Sequence, residues 1–221
     1  MSERVFPITA VLDAIEPAVA PFPKASMHEL GDDGLRSLFQ QVVACLVSIR
    51  TYEEVTMPIC RELFAVAPDA AAMLALGEEG ILTIIRRSTF SDRKAGQIMA
   101  IARRTEEEFG GEIPCDADVV RSFNGIGIKC TNLALGIACG APLVCVDVHV
   151  HRIANRWGYV ATRTPEQTTI ALDAVMPNDQ KVRINRLLVP FGKHICTASR
   201  PHCMTCPVLA ECAQVDVTNP R

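Results

Sequence analysis

From Leu35 onward the apolar positions of this chain recur at intervals of three and four, the period of an amphipathic helix. Leu38, Val42, Val43, Leu46 and Ile49 mark a first strongly apolar helix, and Ile59, Leu63, Phe64 and Val66 a second. Pro68 opens a short segment through Leu76, and Glu78–Arg87 forms another. Ser91 is a candidate N-cap for a long helix that reaches Phe109 and is stopped by Gly110-Gly111. Asp116 or Asp118 starts a brief helix ending near Phe123; after two glycines, Ile128 to Cys139 forms the next. Beyond the Gly140-Ala141-Pro142 turn, Asp147 caps a helix from Val148 to Trp157. Thr164-Pro165-Glu166-Gln167 combines a capping threonine, a proline at the first helical position and a glutamine three residues on. That helix ends by Met176-Pro177, one more runs from Asp179 to Val189, and a short terminal helix closes the chain. Residues 1–34 are rich in proline and predict one short helix near Ile8–Ile15.

No stretch alternates at period two for long enough to build a sheet, and no segment repeats, so the predicted fold class is all-α. Composition agrees: 49% of the 221 residues are hydrophobic but only 5% aromatic, which suits helices packed through Ala, Leu, Ile and Val. The net charge is −3. A nucleic-acid binder is usually basic, so any such function must use a local positive face. Glu3, Arg4, Asp13 and Glu16 interrupt the N-terminal apolar stretch, so no secretory leader is expected. The longest uncharged run, Cys130 to Val146, is cut by Gly136, Gly140 and Pro142, so no membrane span is expected.

Cysteine supplies the first specific chemistry. Cys196, Cys203, Cys206 and Cys212 follow a C-x6-C-x2-C-x5-C spacing. Four thiolates in so short a segment can close around one metal centre. Structural zinc usually draws on two C-x2-4-C pairs. One such pair flanked by two isolated cysteines favours a [4Fe–4S] cluster over zinc, with disulfides or coincidence as the remaining alternatives. Cys45, Cys60, Cys115, Cys130, Cys139 and Cys145 are scattered and read as small apolar residues in helices, as expected in a reducing cytosol.

The second specific feature is Phe123-Asn124-Gly125-Ile126-Gly127-Ile128-Lys129. Two helices joined through G-x-G predict a tight helix–hairpin–helix, with Asn124, Gly125, Ile126 and Gly127 in the turn. Free N–H groups there, with the positive end of the next helix, form an anion site. For a nucleic acid that anion is a backbone phosphate, contacted without reading sequence. A plain αα turn is the alternative. Lys129 falls in the first turn of its helix, where the helix dipole disfavours a cation and burial would depress its pKa further. A neutral lysine can attack an electrophilic carbon and form a Schiff base; a solvated surface lysine is the alternative. Asp147 caps its helix and could also present a carboxylate to developing positive charge or relay a proton. His149 and His151 are two residues apart on a helix and make a poor metal pair, one packing or positioning and the other solvated.

These residues together resemble the endonuclease III family of DNA glycosylase/AP lyases, in the helix–hairpin–helix glycosylase superfamily. The resemblance runs from about Leu35 to Cys212. It rests on the hairpin with Lys129, on Val146-Asp147-x-His149 followed by Arg152 and Asn155-Arg156, and on the cysteine spacing. It implies two interlocked helical domains: a six-helix barrel with the hairpin, expected at 35–138, and an iron–sulfur domain built from 1–34 plus 139–221. It implies Lys129 as the nucleophile at the deoxyribose C1′ and Asp147 as the assisting carboxylate. The substrate is double-stranded DNA with a damaged pyrimidine or an abasic site. The lesion is flipped out and displaced, and the strand is cleaved by β-elimination. The cluster is implied to be structural, the protein a monomer, and its place the cytoplasm, on the nucleoid if bacterial.

The chain departs from the family at the expected DNA-contacting loops. Phe123-Asn124-Gly125 replaces a Leu-Pro-Gly entry, leaving the turn less fixed. Arg50 stands where a glutamine fills the gap left by the flipped base; its fork differs from an amide. Thr89-Phe90-Ser91 replaces a Gly-Leu-Tyr loop, and Phe90 retains a wedge that could intercalate. Arg200 is the one full charge in the cysteine loop Thr197–His202. Two further readings stay open: the same fold with activity narrowed toward abasic-site cleavage, and a non-catalytic DNA-binding iron–sulfur protein.

Overall fold

The structure, a computed structural model, describes residues 6–221. Among the described residues there are eleven α-helices and no strand, and the chain divides into two compact helical units. One comprises residues 26–141 and the other residues 1–25 with 142–221.

The continuous unit contains α2 (Ser26–Asp32), α3 (Leu38–Ser48), α4 (Glu53–Val66), α5 (Ala70–Ile85), α6 (Ser91–Phe109), α7 (Ala117–Arg121) and α8 (Ile128–Cys139). Helix α3 is buried along nearly its whole length, from Leu38 to Val47, as expected of a helix that is apolar on every face. It packs against α8, α4 and α6, while α5 lies along α6. A full capping box starts it: the Ser37 side chain accepts from Gln40 N, and the Gln40 side chain accepts from Ser37 N. Gly77, at φ +73°, breaks α5 into two stretches close to those expected on either side of it.

Helix α2 lies in the proline-rich segment for which one short helix near Ile8–Ile15 is expected. Met27 and Leu30 are buried, and Gly31 lies so close to α8 that a Cβ there would sit 2.9 Å from Ile137 Cγ2. Arg61 of α4 also bridges Glu29 and Asp33, at 2.8 and 2.7 Å. These contacts hold residues 26–34 in the continuous unit. Its boundaries therefore fall at 25/26 and 141/142, where the sequence placed them at 34/35 and 138/139.

The discontinuous unit contains α1 (Ile8–Val19), α9 (Val148–Arg156), α10 (Pro165–Val175) and α11 (Lys181–His194), with short 3-10 turns at Asn178–Gln180, Cys203–Thr205 and Leu209–Glu211. Leu12, Ile15, Val150, Ile153, Trp157, Leu172, Ile184, Leu188 and Phe191 form its core. Arg183 of α11 holds α1 through Asp13, at 2.6 Å, and Glu16. Helices α1 and α11 extend past their expected ends and carry Pro17 and Pro190 inside them. Two 3-10 turns replace the expected terminal helix.

Two local expectations are corrected. Ser91 is the first residue of α6 rather than its cap; the cap position is Phe90, in the left-handed region at φ +59°. Cys115 and Cys139 form a disulfide and are not independent apolar packers. The packing of α7 on α8 brings the residue before the Asp116 cap to the C-terminal end of α8, with the two Cα atoms 6.1 Å apart. Among the described residues no helix is long and apolar enough to cross a membrane.

Candidate functional site

The hairpin is a tight turn in which Ile126 N donates to Phe123 O at 3.1 Å. Gly125 adopts φ +94°, and a Cβ on it would lie 2.5 Å from Gln97 Nε2 and 3.2 Å from Leu46 Cδ1. Both backbone freedom and close approach therefore require glycine there. Gly127 differs: it caps α8 in an extended conformation, φ −98°, and a Cβ on it would meet nothing within 4 Å. Its open surroundings leave the first N–H groups of α8 uncovered by a side chain at that position. Asn124, Gly125 and Gly127 are exposed, whereas Phe123 and Ile126 point into the core and anchor the turn. Ile126 can thus meet a ligand only through its backbone.

Lys129 stands in the first turn of α8 and is exposed. Asp147 caps α9, its Oδ1 accepting from His149 N and Val150 N, both at 2.9 Å. Both capping bonds use the same oxygen, so Oδ2 is not committed to the cap. His149 and His151 are each engaged. Nδ1 of His149 lies 3.2 Å from Arg152 Nη2, and that of His151 lies 2.6 Å from Thr168 Oγ1. Neither histidine is therefore the solvated one of the expected pair, and His151 belongs to a polar network linking α9 to α10.

Cys196, Cys203, Cys206 and Cys212 line one small cavity with Trp157, Phe191 and Leu209. Two arginines of α9 hold the loop. Arg156, buried, donates to Thr197 O at 2.7 Å, Ala198 O at 2.6 Å and Cys196 Sγ at 3.5 Å. Arg152 donates to Gly192 O at 3.0 Å and Cys196 O at 2.9 Å, and its Nε is buried without an acceptor. Burial pushes the Cys206 thiol up to about 11, and the three neighbouring cysteines add to the rise. Among the described residues no three metal-ligating side chains gather tightly enough to hold one ion. Arg200 is exposed at the tip of the loop, its carbonyl accepting from Thr197 Oγ1 at 2.9 Å.

Arg50 and Phe90 are brought together within the continuous unit. Both are exposed and both have positive φ, +54° and +59°. The Arg50 guanidinium lies 6.0 Å from the centroid of the Phe90 ring. Non-glycine residues in this region are strained and persist where surrounding bonds over-determine them. Those bonds come from Thr89, which the loop comparison names, and from Thr51 and Lys94, to which the motifs assign no role. Thr89 Oγ1 donates to Arg50 O at 2.8 Å, and Thr89 N donates to Thr51 Oγ1 at 3.1 Å. Below them Lys94, only 2% exposed, donates to Val47 O, Ile49 O and Thr51 Oγ1. The signal was present in the sequence: Lys94 precedes Ile98 by four and Ile101 by seven, placing a lysine on the apolar stripe of α6.

Comparison with known proteins decides the family. Residues 43–178 match the model of the HhH-GPD superfamily base excision DNA repair proteins. The chain belongs to that superfamily. It is 32% identical to endonuclease III of Treponema pallidum over 90% of this chain and 92% of that one. It is 34% identical to endonuclease III of Thermotoga maritima, over 79% and 82%, and 31% identical to that of Escherichia coli K12, over 81% and 85%. Among solved structures it resembles a trapped endonuclease III–DNA covalent intermediate, with a TM-score of 0.77 at 23% identity over 94% of each chain. A thermostable thymine-DNA glycosylase is similar in fold, with a TM-score of 0.79 at 18% identity over 96% of this chain and 95% of that one. This HhH-GPD protein is a base excision repair enzyme of the DNA glycosylase/lyase class.

Proposed function

We propose that this HhH-GPD enzyme removes oxidised or otherwise damaged pyrimidines from double-stranded DNA and cleaves the resulting abasic site through Lys129. The observation that carries the reading is the placement of Lys129: exposed, in the first turn of α8, directly after a hairpin in which Gly127 leaves the first N–H groups of that helix uncovered by a side chain. A phosphate held at the hairpin would fix the sugar against the amine, which is the positioning a covalent step requires. The Lys129 amine, once neutral, attacks C1′; the C1′–base bond breaks and the base leaves with its electron pair and a proton. The nitrogen lone pair then opens the C1′–O4′ bond, O4′ taking a proton to become a hydroxyl, and the iminium so formed acidifies the C2′ proton. Loss of that proton expels the 3′-phosphate, and water releases the sugar remnant from Lys129. Asp147 serves this sequence through Oδ2, as a proton relay or as an anion beside developing positive charge.

Asn124, Gly125, Ile126 and Gly127 are assigned to the DNA backbone, Ile126 through its main chain. Arg50 and Phe90 are assigned to the gap left by the flipped base, and Arg200 to a phosphate near the cysteine loop. Cys196, Cys203, Cys206 and Cys212 are assigned as ligands of a [4Fe–4S] cluster. The fit rests on charge. Two guanidiniums, those of Arg152 and Arg156, are directed at the Cys196 loop, and one buried Nε lacks an acceptor. Cations held at neutral thiols are costly, whereas thiolates bound to a cluster supply the missing anion. The group would tie four points of the loop together and so brace Arg200. We assign the barrel role to residues 26–141 and the cluster role to the discontinuous unit, with the protein acting as a monomer in the cytoplasm or on the nucleoid.

Borohydride trapping tests the reading. Wild-type protein on a duplex with one abasic site should leave a covalent adduct that Lys129→Ala does not form. An adduct of undiminished yield from Lys129→Ala would remove Lys129 from the reaction. The loop substitutions favour a second reading, a narrowed lesion range, which a panel of damaged bases in the same duplex context would reveal.

A further inference from the structure

Three exposed turns of the continuous unit meet on one face of α6. The first is the Arg50 turn after α3, the second the Phe90 turn before α6, and the third the Asn124–Gly125 hairpin. The Phe90 turn runs directly into α6. The Arg50 turn is held by Lys94, whose Nζ donates at 2.7 Å to Val47 O, 2.8 Å to Ile49 O and 3.0 Å to Thr51 Oγ1. The hairpin is held one helical turn further on, where Gln97 Nε2 donates to Asn124 O at 2.9 Å. Thr51 and Thr89 close the circuit, joining the first two turns directly. Leu46, Ile49, Arg50, Phe90, Lys94 and Gly125 are among the residues that line a cavity between these turns.

We propose that Lys94 is a positioning residue for lesion recognition, fixing the Arg50 and Phe90 turns as a single rigid probe whose strained backbone is offset by the Lys94–Thr51–Thr89 bonds. The proposal rests on the reading of Arg50 and Phe90 as DNA-facing residues. Its physical basis is the number of acceptors. The last carbonyls of α3 have no helical donor of their own, and a protonated amine can satisfy three acceptors where a neutral hydrogen-bonding side chain satisfies fewer. Deep burial of a cation is costly, so its retention on the apolar face of α6 needs these bonds. Cys60 is the thiol that interacts electrostatically with Lys94, and burial raises its pKa to about 12, so it remains a neutral neighbour. With all three bonds in place, Arg50 and Phe90 keep their left-handed backbones before DNA arrives, and binding does not have to order them.

The test compares the full-length wild type with Thr51→Val, Thr51→Ser and Thr89→Val. Each is titrated against an undamaged duplex and against one carrying a tetrahydrofuran abasic-site analogue. The readout is the ratio of the two affinities, with the thermal midpoint measured alongside. Thr51→Val removes the acceptor for Lys94 and Thr89 without changing side-chain shape, and should lower the ratio about tenfold, the loss of roughly one charge-assisted hydrogen bond. Thr89→Val should lower it in the same direction, and Thr51→Ser should restore it because the hydroxyl returns. Equal ratios for wild type, Thr51→Val and Thr89→Val would overturn the proposal, as would a wild type that does not distinguish the two duplexes. The borohydride adduct reports on Lys129 alone, so its absence would sink the lyase reading without altering this comparison.

Discussion

Arg156 of α9 donates to Cys196 Sγ across 3.5 Å, although forty positions separate the two residues in the chain. The same guanidinium also takes Thr197 O and Ala198 O, so one buried side chain fixes the entry of the cysteine loop. Arg156→Lys keeps the charge but loses the planar fork. It should cost about 2–4 kcal/mol, from the lost bonds to charged donors and the carbonyls left unpaired. Chemical unfolding would measure the loss. Iron and sulfide content, with visible absorbance, would show whether the loop still holds its cluster.

Asp147 combines a cap with an oxygen outside the cap, and the two roles separate by substitution. Asparagine caps as well as aspartate, so Asp147→Asn should leave the thermal midpoint nearly unchanged, whereas Asp147→Ala should lose about 0.5–2 kcal/mol. If the carboxylate acts chemically, Asp147→Asn should still slow base removal at least about tenfold, within the range of acid–base contributions. Single-turnover kinetics at neutral pH would check it.

The Cys115–Cys139 disulfide closes a loop of 24 residues onto the end of the helix that carries Lys129. Chain-entropy reasoning gives about 3 kcal/mol for such a loop. Cys115→Ser should therefore lower stability by about that amount under non-reducing conditions and by much less in the presence of a thiol reductant. Paired denaturation curves with and without reductant decide it.

Burial lowers the Lys94 pKa from 10.5 to about 8. Below pH 8 the folded and unfolded chains both hold this proton, so Lys94 gives stability no slope. Between about 8 and 10.5 the unfolded chain holds more, and stability from this group rises with pH. Subtracting the unfolding free energy of Lys94→Met, measured at about pH 7.5, 9 and 10.5, should expose that rise. A flat difference would show that the three acceptors keep the amine protonated to its ordinary pKa.

Much of the helical plan was legible because it depends on neighbours in sequence. Asp147, Asp116 and Thr164 cap where expected since a cap needs only the next three residues. Gln167 followed the rule only in part: its side chain accepts from Arg163 N, one residue before the cap. Helix α2 was illegible because seven residues after a proline-rich stretch carry too little periodicity, and its burial comes from α4 and α8. Lys129 and the cysteine spacing were visible as motifs. Lys94 and Gln97 were not, because a polar residue on an apolar stripe shows its purpose only when its acceptors are in view.

The all-helical class, the glycine hairpin ahead of Lys129, the Asp147 cap and the four-cysteine spacing all follow from the order of residues, each a matter of local period or spacing. Nothing in that order foretells that Cys115 reaches Cys139, that Arg156 reaches Cys196, or that one buried lysine holds the Arg50 turn beside Phe90. Those pairings depend on which helix faces pack together, and burial then makes each polar group take whatever partner the packing has brought within reach.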